Sequence, residues 1–482
     1  MGIGARLTVI GLIVVVVAGL SLAFASTGVI EDDHERTIAI PEFDDLTLEL
    51  DLKVAYNDED VFWRFEWDTE TPHFSHDYLV YEDGAWERYG SSMVGSNPEG
   101  VYEDRLTFLL DDGTVDGFAQ YGGYMTVLSQ EMRFYSDEAD EEEVDAHLGE
   151  GTGDVRKFLP ETREDPDDWR TVRSDDELAQ LQEQGYFLDL WHWRAHRSNP
   201  IGWSDDQYVL DYRHGDDGEA PYSTNWDDET EQPQLMFDPD ATGQHAMDWD
   251  RVLDMDYGQD DYYYLSDEIA VEFDPDHDWQ EGDVIPRRLL SDPEGSRGSI
   301  FAQGIAQNGQ WSLELQRALD TGNPLDDKAL AHLGQYDIAF AVHKNATGSR
   351  WHHVSFPYTL GLGRSADIEA ERFEGDEPSW DDIDWTTITL FYPGQVGYDH
   401  ASSDAHAGAE EVRDRVHISA GHDEADLALY AVEGEFGDEI QQQWLLTGTV
   451  LAAFVLLIAV SMVRIAAAAR PADEETTEEV SR

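Results

Sequence analysis

The run Phe187-Leu188-Asp189-Leu190-Trp191-His192-Trp193-Arg194-Ala195-His196-Arg197 places an imidazole between two indoles in a mainly apolar stretch. On a strand, Leu188, Leu190 and His192 share one face. A buried imidazole needs a partner, because an unsatisfied polar group costs about 1–3 kcal/mol. A backbone carbonyl is the ordinary answer. A haem iron is another, since neutral imidazole is a common protein ligand for it.

A second segment offers more imidazoles. Residues 336–344 and 350–357 read as a hairpin whose second strand opens with His352-His353. His352 shares a face with Val354 and Phe356, and His353 with Ser355. His352 suits an apolar pocket better if its face turns inward. Histidines from two distant strands would clamp a haem from both sides. The alternative is a satisfied or solvent-facing pair. The candidate iron ligands are therefore His192, His352 and His353, with Trp191 and Trp193 as aromatic neighbours of the cofactor.

Strands must position these groups. Residues 61–67 alternate, with Trp63, Phe65 and Trp67 on one face and Phe62, Arg64 and Glu66 on the other, the period of a half-buried strand. Similar runs occur at 37–40, 46–56, 106–110, 124–128, 187–193, 268–273, 338–342, 354–362 and 386–392. Clusters of Pro, Gly, Asn and Asp separate them. The pattern predicts an all-β fold, a sandwich or barrel. Helical pattern is sparse: one helix over 175–184, with Ser174 as N-cap and Glu177 as capping-box partner, and a short one over 326–333. The acidic run 137–145 reads as a solvated loop. Residues 205–264, rich in Asp, Gly, Tyr and Trp, read as a long insertion.

The charge is extreme. Against 104 Asp and Glu stand 30 Lys and Arg, a net charge of −74. Such self-repulsion opposes compaction in dilute buffer, and molar salt, with a Debye length of about 3 Å, screens it. Only Lys53, Lys157, Lys328 and Lys344 are lysines. Acid excess, few lysines and many aromatics fit a halophile surface. Nucleic acid is an unfavourable partner, because its phosphates would be repelled. The chain has no cysteine, which excludes disulfides, thiolate metal sites and haem attached through Cys-x-x-Cys-His.

Apolar residues 7–25 follow Arg6 and are long enough to span a bilayer. They also resemble a signal peptide with a small-x-small cleavage site at 23–25. Residues 444–463 read as a C-terminal transmembrane helix, with Trp444 at one edge and Arg464 and Arg470 beyond the other, the cytoplasmic side. The expected organisation is a signal or anchor at 1–27 and a β-sandwich haem-binding domain at 37–363, with insertions near 137–170 and 205–264. A β extension and acidic linker follow at 364–440, then the membrane helix and a cytoplasmic tail at 464–482. Gly-x-Ser-x-Gly, Walker, His-Glu-x-x-His and dinucleotide fingerprints are all missing. Acidic pairs arise here by chance and carry no weight as glycosidase evidence.

The stretch Asp189-Leu190-Trp191-His192-Trp193-Arg194-Ala195 resembles a motif of the haem-binding gamma subunits of ethylbenzene dehydrogenase and dimethyl-sulfide dehydrogenase. Further similarity follows in order: Ile285-Pro286, Gly309 to Arg317, Thr321-Gly322, Tyr336 to Val342 and His353-Val354-Ser355. It covers roughly residues 37–363. The resemblance implies a β-sandwich holding one non-covalent haem b. It also implies electron exchange with a molybdopterin catalytic subunit through an iron–sulfur subunit, and a membrane quinol-oxidising cytochrome b as a further partner. The ethylbenzene enzyme uses Met and Lys as axial ligands. Here His352-His353 stand where the family has its lysine, and no Met lies just before Asp189. Bis-His ligation by His192 with His352 or His353 is the replacement considered, with Met125, Met132 and His196 as outside candidates. The membrane anchor is a further departure. The leading expectation is an electron-transfer subunit of an extracytoplasmic oxidoreductase. The alternative is an anchored carbohydrate-binding or structural sandwich, its sugar-stacking face drawn from residues 205–264.

Overall fold

The structure is a computed structural model that describes residues 47–69, 71–89, 103–126, 157–166, 168–344 and 353–391. All of these belong to a unit spanning Phe43–Gly434. Among the described residues thirteen strands form its main sheet. They are β1 (Thr47–Tyr56), β2 (Asp60–Asp68), β3 (Arg105–Asp111), β4 (Leu188–Arg194), β5 (Asp205–Val209), β6 (Arg213–Gly215), β7 (Phe301–Gln307), β8 (Gln310–Ala318), β9 (Gln335–His343), β10 (His353–Val354), β11 (Tyr358–Leu362), β12 (Ile368–Arg372) and β13 (Thr386–Phe391).

Hydrogen bonding divides the sheet into two halves. One runs β7-β8-β2-β1 and the other β9-β3-β4-β5-β6. Two short bridges join β1 to β9. At one end β12 and β11 connect Ala55-Tyr56 with Gln335–Ile338. At the other, β13 and β10 connect Thr47–Leu52 with Ala341-Val342. The halves press face to face. Trp63 of β2 has its ring 5.0 Å from Phe108, 6.3 Å from Trp191 and 6.4 Å from Phe340, all on strands it does not pair with.

The alternation seen in β2 explains this layer. Val61, Trp63, Phe65 and Trp67 are fully buried while Arg64 and Glu66 keep partial contact with water. Burying such aromatic side chains stabilises the fold by about 1.5–3 kcal/mol each, before entropy is counted. The second half differs, because β4 is buried on both faces. Leu106, Phe108, Trp191 and Trp193 face the first half. On the other side, Leu109, Leu188, Leu190 and Ala339 pack under Val115, Phe118, Met125 and Leu159.

Several expected elements differ. Residues 124–126 lie in a 3-10 turn, Gly122–Thr126, instead of a strand. Gly122 has φ +54°, and a Cβ there would sit 3.2 Å from that of Ala339. That contact fixes a tight turn against β9. The helix expected at 326–333 is absent, because Lys328 N donates to Asp189 Oδ2 at 3.0 Å and Arg317 takes the Asp327 carboxylate at 2.7 Å. The strand expected at 354–362 breaks at Pro357 into β10 and β11. Residues 205–264 are not wholly an insertion, since β5 and β6 extend the main sheet. The sheet also continues past 363 through β12 and β13. The helix Asp175–Glu183 forms with both arms of the Ser174–Glu177 capping box present.

Among the described residues no helix is long and apolar enough to cross a membrane. The segments 7–25, 37–40, 137–145 and 444–463 lie outside the described residues.

Candidate cofactor site

His192 sits mid-strand on β4 with 3% of its surface exposed. Register places it beside Thr107, which pairs with Ala341, and beside Asp205. This row faces away from the sandwich core, on the side of the second apolar cluster, where Gln207, Arg194 and Arg105 lie about the ring. The chain alternates Leu188, Leu190, His192 on that face, as the strand period requires.

Its ring is held on one edge. Nδ1 lies 3.0 Å from Gln207 Oε1 and 2.8 Å from Arg194 Nη2. One nitrogen cannot both donate to the amide oxygen and accept from the guanidinium. Gln207 is fixed by donating its Nε2 to Asp205 Oδ2 at 3.0 Å, so Oε1 must face the ring. Arg194 is committed elsewhere too, donating through Nη1 to Asp205 Oδ2 at 2.6 Å. Burial pushes Asp205 up, but Arg194 and Arg297 outweigh it and hold the carboxylate below its usual range. Nε2 of His192, on the far edge of the ring, is buried and has no hydrogen-bond partner among the described residues. Burial, reinforced by Arg194 and Arg105, holds the imidazole well below its ordinary pKa. It is neutral at pH 7. The Gln207 contact calls for Nδ1–H and leaves Nε2 bare, whereas the Arg194 contact calls for an accepting Nδ1 and puts the proton on Nε2; the first of these tautomers is the one a metal-ligating histidine adopts. In that tautomer the ring suits an iron ligand.

His353 does not join it. Register pairs His353 with Val342, Val342 with Leu106 and Leu106 with Trp193. That row is one residue out of phase with His192, so the two imidazoles occupy opposite faces of one sheet layer. They cannot approach a single iron from opposite sides, which corrects the expected His192–His353 clamp. Trp191 and Trp193 also take the inner face. Trp191 packs edge-on against Trp63 and tilted against Phe108, and Trp193 packs edge-on against Trp67 and Trp311. They are core residues of the sandwich and do not wall the space around His192. His352 lies outside the described residues.

Two other groups stand out. His343 shares the outer face with His192, in the row of Arg105 and Arg194. His196 is fully buried, and its Nδ1 lies 2.7 Å from Phe74 O. A carbonyl only accepts, so Nδ1 carries the proton and Nε2 is again bare, without a partner among the described residues. Its chamber holds His76, Tyr78 and Tyr263. Close by, burial would raise Glu103, but Arg197 and Arg105 hold it at about 2. The supports Gln207 and Asp205 were not singled out in the sequence. They alternate on β5 opposite β4, a proximity visible only once the strands pair.

The family description "Ethylbenzene dehydrogenase" matches residues 25–355. The chain belongs to the ethylbenzene dehydrogenase family. Within this family member the matched span ends one residue past β10, so β11 to β13 lie beyond it. Over 92 residues the chain is 32% identical to cytochrome c-552 of Stutzerimonas stutzeri, covering 19% of this chain and 30% of that protein. The chain thus matches under a third of that relative's length.

Proposed function

We propose that this chain is the haem-binding electron-transfer subunit of an extracytoplasmic respiratory molybdenum oxidoreductase of the nitrate or dimethyl-sulfoxide reductase type. Residues 444–463 anchor it to the membrane. It works with a molybdopterin catalytic subunit and an iron–sulfur subunit, and draws on a membrane quinol-oxidising cytochrome b. Family membership and the cytochrome relative support the cofactor class. The absence of cysteine rules out thioether attachment, which supports a non-covalent, b-type haem.

The observation that carries this reading is the buried Nε2 of His192, without a partner among the described residues. Haem bound there would supply one-electron transfer. The protein's own part is to orient and shelter that ring. Gln207 and Arg194, both tied to Asp205, hold the Nδ1 edge of the ring. The second ligand must come from the same side of the layer. We assign the second ligand to His352, which lies outside the described residues; Met125 is the methionine in the apolar cluster on that side.

The test is a reduced-minus-oxidised visible spectrum of the full chain purified in molar salt. A Soret band that sharpens and shifts on reduction is expected. His192→Ala should remove or displace it, while His353→Ala and His196→Ala should leave it in place. A wild-type chain that takes up no haem, or a His192→Ala spectrum identical to wild type, refutes the assignment.

One observation favours the carbohydrate-binding alternative. A cleft of about 470 Å³ is lined by Tyr81, Trp86, Trp226, Phe273 and Trp279. Trp86 is already engaged edge-on by Trp279 at 5.0 Å and by Phe273 at 5.7 Å, which leaves less ring face for a sugar. That reading predicts no Soret band.

A further inference from the structure

Five aspartates converge at one end of the sandwich, away from the outer face that holds His192. Asp189 comes from β4, Asp206 from β5 and Asp216 from just after β6. Asp326 and Asp327 come from the loop that replaces the expected helix. Carboxylate oxygens of Asp189, Asp206 and Asp327 lie within 4.8 Å of one another, and so do those of Asp216, Asp326 and Asp327. All five side chains are buried.

Their protein partners satisfy only part of this set. Arg317 Nη1 donates to Asp327 at 2.7 Å and to Asp206 at 3.4 Å, and its Nη2 donates to Asp189 at 2.8 Å. Ser296 Oγ reaches Asp326 at 3.0 Å and Asp327 at 3.3 Å, and Thr321 Oγ1 reaches Asp327 at 2.5 Å. Asp217 N donates to Asp326 at 3.2 Å, and Ser299 Oγ donates to Asp206. Asp189 Oδ1, Asp206 Oδ1 and both oxygens of Asp216 have no hydrogen-bond partner among the described residues. Asp216 is only 3% exposed, and Asp189 and Asp206 are fully buried. Buried ionised carboxylates without donors are costly, by several kcal/mol each. Arg317 is the guanidinium shared among them, so the acids outnumber it heavily. The surplus charge and the bare oxygens call for a cation.

We propose that Asp216, Asp326 and Asp327 hold one hard divalent cation of calcium's class, with the bare oxygens of Asp206 and Asp189 beside it. Calcium takes six to eight oxygens at about 2.3–2.6 Å, so two oxygens on one ion are at most about 5 Å apart. The 4.8 Å limit within each trio meets that requirement. Magnesium suits the site less, because it keeps several waters in a near-ideal octahedron. The ion ties β5 and β6 to the loop carrying Asp326 and Asp327. Through Asp327 and Arg317 it also tightens the contact of β8 with β4. It is a structural site, independent of the haem reading.

The experiment uses the full chain in molar KCl, stripped with EGTA and then dialysed against calcium, magnesium or neither. Bound metal is counted by mass spectrometry, and unfolding is followed by heat. The expected result is one calcium per chain and a rise in Tm of about 3–6 °C at calcium a hundredfold above its dissociation constant. Asp216→Asn should bind none and show no calcium-dependent rise. In EGTA it should melt no lower than wild type, since it removes an unpaired charge. Asp326→Asn serves as a second variant should Asp216→Asn fail to fold. Absence of bound calcium in the wild type overturns the proposal. So do equal binding by both variants and equal protection by magnesium.

Discussion

Replacing Arg317 with Met removes a guanidinium shared by three buried carboxylates and leaves their charges behind. Arg317 is 1% exposed and reaches from β8 across the sandwich to Asp189 on β4. It also donates to Asp327, Asp206 and the Lys328 carbonyl, and its guanidinium lies 4.4 Å over the Trp191 ring. Breaking a buried pair by deleting one partner costs about 3–5 kcal/mol. Met fills similar volume, so the loss is mainly electrostatic. Added salt does little to offset it, because screening acts mainly between exposed charges. Burial already lifts Asp189 to about 6, with Arg317 the strongest pull the other way. Without Arg317, Asp189 and Asp206 move further above their unfolded values. A carboxyl whose folded pKa is raised favours the fold at low pH and loses that contribution as pH rises through the folded pKa. The penalty should therefore be full at pH 8 and shrink toward pH 5. Urea unfolding of chelator-treated protein, read by tryptophan fluorescence, measures it. A loss under about 1 kcal/mol at pH 8, or a loss unchanged between pH 8 and pH 5, would refute the reasoning.

Two further outcomes follow from other sites. His76 is fully enclosed, and burial, with Arg197 and Arg105 adding to it, holds it well below its ordinary pKa. The unfolded chain takes up a proton below about pH 6.5 while the folded chain does not. Stability present above that pH is therefore lost as pH falls, by up to about 1.4 kcal/mol per unit. His76→Gln should flatten the slope between pH 6.5 and 5.5 by that amount, and an unchanged slope counts against a neutral buried ring. Ser174→Ala should cost the helix Asp175–Glu183 about 1 kcal/mol through its lost cap. Because that helix buries no residue, the change should appear as faster amide exchange within it and leave the global Tm nearly unmoved.

Local pattern determined much of this protein. The alternation of Trp63, Phe65 and Trp67 marked β2, the Ser174–Glu177 spacing marked a capped helix, and the order of short motifs marked the family. Period-two reasoning also placed Leu188, Leu190 and His192 on one face. These are properties of neighbouring residues, set by sterics and by hydrogen bonds a few positions apart. Which face was inward could not be read locally, because β4 is buried on both sides and carries no polar stripe to show it. Only strand pairing decided that Trp191 and Trp193 belong to the core and that His353 lies across the layer from His192. Only pairing set Gln207 and Asp205 beside the imidazole, and only the meeting of β4, β5, β8 and two loops brought five aspartates together around Arg317. Such contacts join residues up to 139 positions apart, as between Asp189 and Lys328, and depend on register. A shift of one residue would turn every one of these side chains to the opposite face.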